Sequence, residues 1–73
     1  MPLVEVTLVN GRTPGEIRLL IHELTEAVVE ALDVPKQSVR VAVRELPTTH
    51  WAAGDVTIAE RDAAKTEAQD GSS

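Results

Sequence analysis

Apolar and polar residues alternate from the second position of the chain. In "PLVEVTLV", residues 2–9, Val4, Val6 and Leu8 fall on one face. Glu5 and Thr7 fall on the other, with Leu3 and Val9. A period of two predicts a β-strand with one well-buried face. "NGR" at 10–12 is a turn signal. The period then becomes helical. Thr13 is a good N-cap, Pro14 suits the first helical position, and Glu16 stands where a capping box needs an acid. Ile17, Leu20, Ile21, Leu24, Val28, Ala31 and Leu32 share one stripe, with Arg18, His22, Glu23, Glu26 and Glu30 largely outside it. Pro35 blocks continuation, so the helix is expected to stop near Leu32 or Asp33. At 1.5 Å per residue it spans about 28 Å, longer than the strands it must cover. Alternation returns in "SVRVAVREL", residues 38–46. Here Val39, Val41 and Val43 point one way, and Arg40, Ala42 and Arg44 the other.

Strand, helix and strand in this order form a βαβ unit, with parallel strands and a right-handed crossover. Pro47 and Gly54 then break the pattern, and "PTTHWAAGDV" reads as a turn followed by a short extended segment or hairpin. From Thr57 the chain is small, polar and charged. A short helix through 58–68 fits it, and "DGSS" at the end is expected to be disordered. The expected organisation is a βαβ domain over residues 2–56 and a charged, partly disordered tail over 57–73. The fold class is α/β: a short βαβ unit with parallel strands plus a C-terminal turn or hairpin. Two strands under one helix leave both sheet edges and one sheet face open, which natural proteins avoid. The architecture therefore predicts an oligomer.

Composition sharpens that expectation. The chain has 73 residues, one tryptophan, and no phenylalanine, tyrosine or cysteine. Its core must be built from Val, Leu, Ile and Ala, with no disulfide to help. Such a core struggles against roughly 1–2 kcal/mol of backbone entropy per residue, and association is the remaining remedy. A formal net charge of −5 argues against nucleic acid or an anionic membrane as the main partner. There is no apolar run of spanning length, and the first residues lack the basic start and apolar core of a signal peptide. The expected setting is the cytoplasm.

Three residues raise the question of chemistry. Pro2 has a bland reading as a strand starter, because its missing N–H costs no ladder bond there. It also has a sharper one. Aminopeptidases usually remove Met1 before a small second residue, leaving Pro2 with a free secondary amine pinned to a strand. An α-amino group titrates at about 7.7–8.0, close to neutrality. Aliphatic burial and nearby guanidinium groups push it lower, which suits a general base. Arg12 follows the first strand, and Arg40 opens the second. Each is either a solvated or paired surface residue, with Glu5 a partner in reach of Arg40, or a bidentate clamp for a carboxylate. A base with two anion clamps in an apolar pocket is a minimal enolisation site, and it needs neither metal nor cofactor. Trp51 either fills an interface between copies or walls that pocket. Arg44 shares the face of Arg40 and reads as structural or as a substitute clamp. His22 reads as a solvated helix residue. Two isolated histidines, His22 and His50, lack metal-ligand spacing, so no metal site is expected.

Taken together, the proline after Met1, "NGRTPGE", "LDVPKQSVRVAVRE", and "HW" before a glycine-containing turn resemble the 4-oxalocrotonate tautomerase family. The resemblance runs from Pro2 to about Gly54. It implies that the mature chain begins with Pro2, whose amine moves a proton as base and then acid. It implies that Arg12 binds and polarises a substrate carboxylate or keto oxygen. Arg40 would grip a carboxylate, commonly for a neighbouring subunit, and Trp51 would wall the pocket. It also implies a homohexamer built as a trimer of dimers. Two departures stand out. The turn after the aromatic residue is "AAGD", less glycine-rich than usual. Ala52 and Ala53 stand where dehalogenating relatives carry an acid, which argues against hydrolytic dehalogenation.

The expected function is a cofactor-free tautomerase that interconverts enol and keto forms of a small, anionic, unsaturated 2-hydroxy or α-keto acid, in aromatic catabolism or in a biosynthetic step on a related dienol. Two competitors keep the same residues. In one, the amine is a nucleophile forming an iminium or enamine. In the other, the chain is a non-catalytic oligomeric binding module, as retention of Met1 would indicate.

Overall fold

The computed structural model describes the backbone of residues 1–72 and the side chains through Lys65. Strand β1 (Leu3–Val9) leads through a turn into helix α1 (Pro14–Leu32), which returns the chain to strand β2 (Arg40–Leu46). The two strands pair in parallel, from Leu3 opposite Arg40 to Val9 opposite Leu46. One backbone hydrogen bond extends the ladder at each end. Arg40 N donates to Pro2 O at 2.9 Å, and Asn10 N donates to Leu46 O at 2.8 Å. The expected βαβ unit is present.

Local chemistry explains where α1 begins and ends. Thr13 Oγ1 accepts from Glu16 N at 3.1 Å, and Glu16 Oε1 accepts from Thr13 N at 2.9 Å, which closes the capping box. At the other end Asp33 adopts a left-handed φ of 53° and donates its N–H to Val29 O at 2.9 Å. The covered stripe differs from the expected one at its tail. Val29 and Glu26 are half-buried, whereas Ala31 and Leu32 are exposed. The helix overhangs the sheet there, as its length requires. Glu26 is tied across this end by Lys36 Nζ at 2.9 Å.

Two 3-10 turns that the sequence pattern did not announce follow prolines. One spans Lys36–Ser38 and shortens the start of the second strand from residue 38 to Arg40; the other spans Thr48–His50. Strands β3 (Ala52–Ala53) and β4 (Val56–Thr57) form the expected hairpin. Its two loop residues, Gly54 and Asp55, have φ of 60° and 66°. A two-residue turn with both φ positive matches the twist of the flanking strands. Helix α2 (Ile58–Ser72) then runs beyond the expected 58–68. A second capping box starts it, with Thr57 N donating to Glu60 Oε1 at 2.9 Å and Glu60 N to Thr57 Oγ1 at 3.1 Å. Strand β4 crosses the expected boundary at 56/57, and Ile58 N donates to Trp51 O at 2.9 Å. Residues 70–72, expected to be disordered, belong to helix α2, and Ser73 lies outside the described residues.

A single copy does not make a core. No described residue is buried. The surface is 5566 Å², against about 4,400 Å² for a compact chain of this mass. The radius of gyration is 17.4 Å, against about 11 Å for a compact domain of this length. Val4, Val6, Leu8, Val41 and Val43 are half-covered by α1, while the opposite sheet face, with Leu3 at 59% exposure, lies open.

Candidate active site

The sheet ladder sets the positions of the candidate residues. Pro2 and Arg40 lie at its start, joined by the hydrogen bond from Arg40 N to Pro2 O. Met1 is 87% exposed, so the peptide bond that acylates Pro2 N is open to an aminopeptidase. The Arg40 side chain leaves the ladder on the open face and turns back, its Nη1 donating to Gln37 O at 2.6 Å. The pairing of Arg40 with Glu5 weighed from the sequence does not form: Glu5 pairs in register with Ala42, and among the described residues no ion pair joins it to Arg40.

Arg12 lies past the other end. The chain leaves the ladder at Asn10, and Gly11 takes a φ of 120°, a region open to glycine, before Arg12 leads into the cap of α1. At about 3.3 Å per residue, the eight steps from Pro2 to Asn10 span about 26 Å. No arginine side chain bridges that length. Trp51 also follows the far end, beyond Leu46 and the turn at Thr48–His50, and is 37% exposed. One copy therefore joins the backbones of Pro2 and Arg40 and holds Arg12 apart from them.

The Arg12 end has its own geometry. Arg12 Nη1 donates to Glu16 Oε2 at 3.4 Å, with both side chains more than half exposed. That exposure makes the pair weak and leaves most of the guanidinium free for a ligand. The Glu16 carboxyl is held below its ordinary value, first by the Thr13 backbone N–H and then by the Arg12 charge. Arg12, Pro14, Ile17, Arg18, Ile21 and Glu45 line an open depression of about 400 Å³. Arg18 and Glu45 were not among the expected site residues. Strand alternation carries a signal for Glu45, since it continues the face of Val41 and Val43. Arg18 has no such signal, lying outside the helical stripe.

The remaining candidates fall elsewhere. Arg44 stands opposite Thr7 on the open sheet face. His50 Nδ1 shares a 2.7 Å hydrogen bond with Thr49 Oγ1. His22 is exposed on α1. Among the described residues no group of three His, Cys, Asp or Glu side chains is placed to hold a metal, and no helix is long and apolar enough to cross a membrane.

The chain has relatives of known family and structure. The family model for tautomerase enzymes matches residues 2–61. The chain belongs to the tautomerase family. A probable tautomerase of Ralstonia nicotianae, RSp0893, is 46% identical over 56 residues, covering 77% of this chain and 80% of that protein. A 2-hydroxymuconate tautomerase of Stutzerimonas stutzeri is 37% identical over 54 residues, covering 74% and 86%. Among solved structures, a 4-oxalocrotonate tautomerase isozyme of Methylibium petroleiphilum superposes with a TM-score of 0.84 at 38% identity, covering 86% of this chain and 98% of that one. The heterohexameric 4-oxalocrotonate tautomerase of Chloroflexus aurantiacus gives 0.79 at 37% identity, covering 82% and 97%. This chain is thus an isomerase of the tautomerase type with the 4-oxalocrotonate tautomerase fold. Residues from Asp62 onward lie beyond the family match.

Proposed function

We propose that the chain, once Met1 is removed, is a cofactor-free keto–enol tautomerase of a small unsaturated 2-hydroxy or α-keto acid. The Pro2 amine takes the enol O–H proton and returns a proton to a carbon of the conjugated chain, so the amine ends as it began. The negative charge that builds on the dienolate oxygen is met by a guanidinium, which stays charged at every working pH. Arg40 and Arg12 hold the carboxylate and keto oxygen, and Trp51 walls the pocket. The observation that carries this reading is the ladder itself, which keeps Pro2 beside Arg40 at its start and ends at Asn10, about 26 Å from Pro2, with Arg12 past that end. A working site then takes its Pro2 end from one copy and its Arg12 end from another. A homohexamer arranged as a trimer of dimers supplies such neighbours, and the heterohexameric relative and the lack of a core in one copy support it.

The test pairs an intact mass with ketonisation of a 2-hydroxydienoate. The expected mass lacks methionine. Pro2→Ala is expected to lower kcat on the order of 10²–10⁴-fold, the usual range for a displaced general base. A retained Met1 in an active enzyme contradicts the proposal, since an acylated nitrogen is no base. A borohydride-trapped adduct without ketonisation points instead to the nucleophilic reading.

A further inference from the structure

The depression beside Arg12 contains a second guanidinium that the mechanism above does not use. We propose that Arg18 is a specificity-determining residue that shares one substrate carboxylate with Arg12. Its functional meaning rests on the tautomerase reading, which it deepens by assigning a ligand group to this depression.

On a helix, Arg18 neighbours positions three and four residues away, which are Pro14, Gly15, Ile21 and His22. None carries a carboxylate. Among the described residues Arg18 makes no hydrogen bond or ion pair, whereas Arg12 gives Glu16 one long contact of 3.4 Å. Both arginines border the same apolar floor of Pro14, Ile17 and Ile21. A flat carbon chain lies well on such a floor, and the two guanidinium forks that line the depression offer more donors than a single carboxylate can use. Glu45 lines the same depression. Its charge repels a second anionic group, so the depression takes one carboxylate followed by an uncharged chain. The other end of the ligand then runs out of the depression, toward the Pro2 and Arg40 of another copy.

The test uses hexa-2,4-dienedioate, a diacid without the enol hydroxyl, bound to the assembled protein and followed by calorimetry. Arg18→Gln is expected to weaken binding about tenfold, with Arg18→Lys recovering only part, because an ammonium lacks the planar fork. Lys65→Gln removes the same charge from α2 and is expected to leave the affinity unchanged. Arg12→Gln with Arg18→Gln is expected to deviate from the product of the single effects, because the two residues share one group. In turnover, Arg18→Gln is expected to raise KM and spare kcat. The proposal is overturned if the wild type does not bind the diacid, if Arg18→Gln binds it like Lys65→Gln, or if the single effects simply multiply. The binding measurement does not depend on turnover. A wild type that binds but does not ketonise removes the tautomerase reading and leaves the shared carboxylate standing. Normal ketonisation with unchanged binding by Arg18→Gln removes only the role of Arg18.

Discussion

The two ends of the β1–β2 ladder differ in how their functional groups are held. At the start, Pro2 is bound into the sheet by its carbonyl, and Arg40 is fixed by its own backbone and by the Gln37 carbonyl. At the far end, Arg12 sits on a glycine turn in a weak exposed pair with Glu16, over an open depression. A base must be placed to a fraction of an ångström, and a ring nitrogen on a sheet has that rigidity. An anion clamp tolerates a longer and looser arm, because attraction between charges falls slowly with distance. On the proposed function, the rigid end supplies the proton shuttle, the looser end supplies recognition, and a site draws on two copies.

The strongest way to break this comparison is to block assembly. Ala42 is exposed at the middle of the open sheet face. In an isolated chain Ala42→Asp sets a carboxylate opposite exposed Glu5, a cost of at most about 1 kcal/mol. If another copy covers that face, it buries an unpaired carboxylate at a cost of several kcal/mol. Light scattering after size-exclusion chromatography is expected to show a smaller species, and ketonisation is expected to vanish with it. An unchanged mass contradicts the claim that this face is an interface.

A smaller effect separates the two arginines. Arg12→Ala and Arg40→Ala are each expected to cost up to about 3–4 kcal/mol of transition-state stabilisation, read from kcat/KM. Equal activity in either variant removes that residue from the site.

The smallest effect concerns the scaffold of the Arg12 end. Thr13→Ala removes the cap of α1 and is expected to cost about 1 kcal/mol in chemical denaturation. Acid acts on the same motif. Glu16 is held low by the Thr13 N–H and Arg12, Glu26 by its hydrogen bond and ion pair with Lys36, and Glu60 by the Thr57 backbone and hydroxyl. Each folded value lies below the unfolded one. Their stabilisation is therefore full above the ordinary glutamate value and lost as pH falls through the lowered folded values. Because Glu16 and Glu60 are exposed and the Glu26 side chain is 46% exposed, the effect is small, and a denaturation midpoint that rises on acidification contradicts it.

Most of the fold is legible in the sequence because its signals are chemical and local. Thr13, Pro14 and Glu16 mark the start of α1, Pro35 marks its limit, and alternating valines mark both strands. The 3-10 turns at Lys36–Ser38 and Thr48–His50 are too short to carry a period, so only Pro35 and Pro47 hint at them. The site was legible as residue types but not as an arrangement. Pro2, Arg12 and Arg40 stand out by chemistry, and parallel strands already put Arg12 at the opposite end from the other two, but the register that sets Leu3 opposite Arg40 appears only in the structure. Arg18 was hidden, because a charge outside a helical stripe reads as a solvated face.

The division of the site between copies is tested most directly by mixing two disabled chains. Pro2→Ala and Arg12→Ala are unfolded together, refolded as one population, and assayed for ketonisation against each variant refolded alone. If every site takes Pro2 from one copy and Arg12 from another, each partner is intact half the time. About a quarter of the sites are then expected to recover wild-type activity. A mixture no more active than the average of its two components contradicts the account, because it places both residues in the site of a single chain.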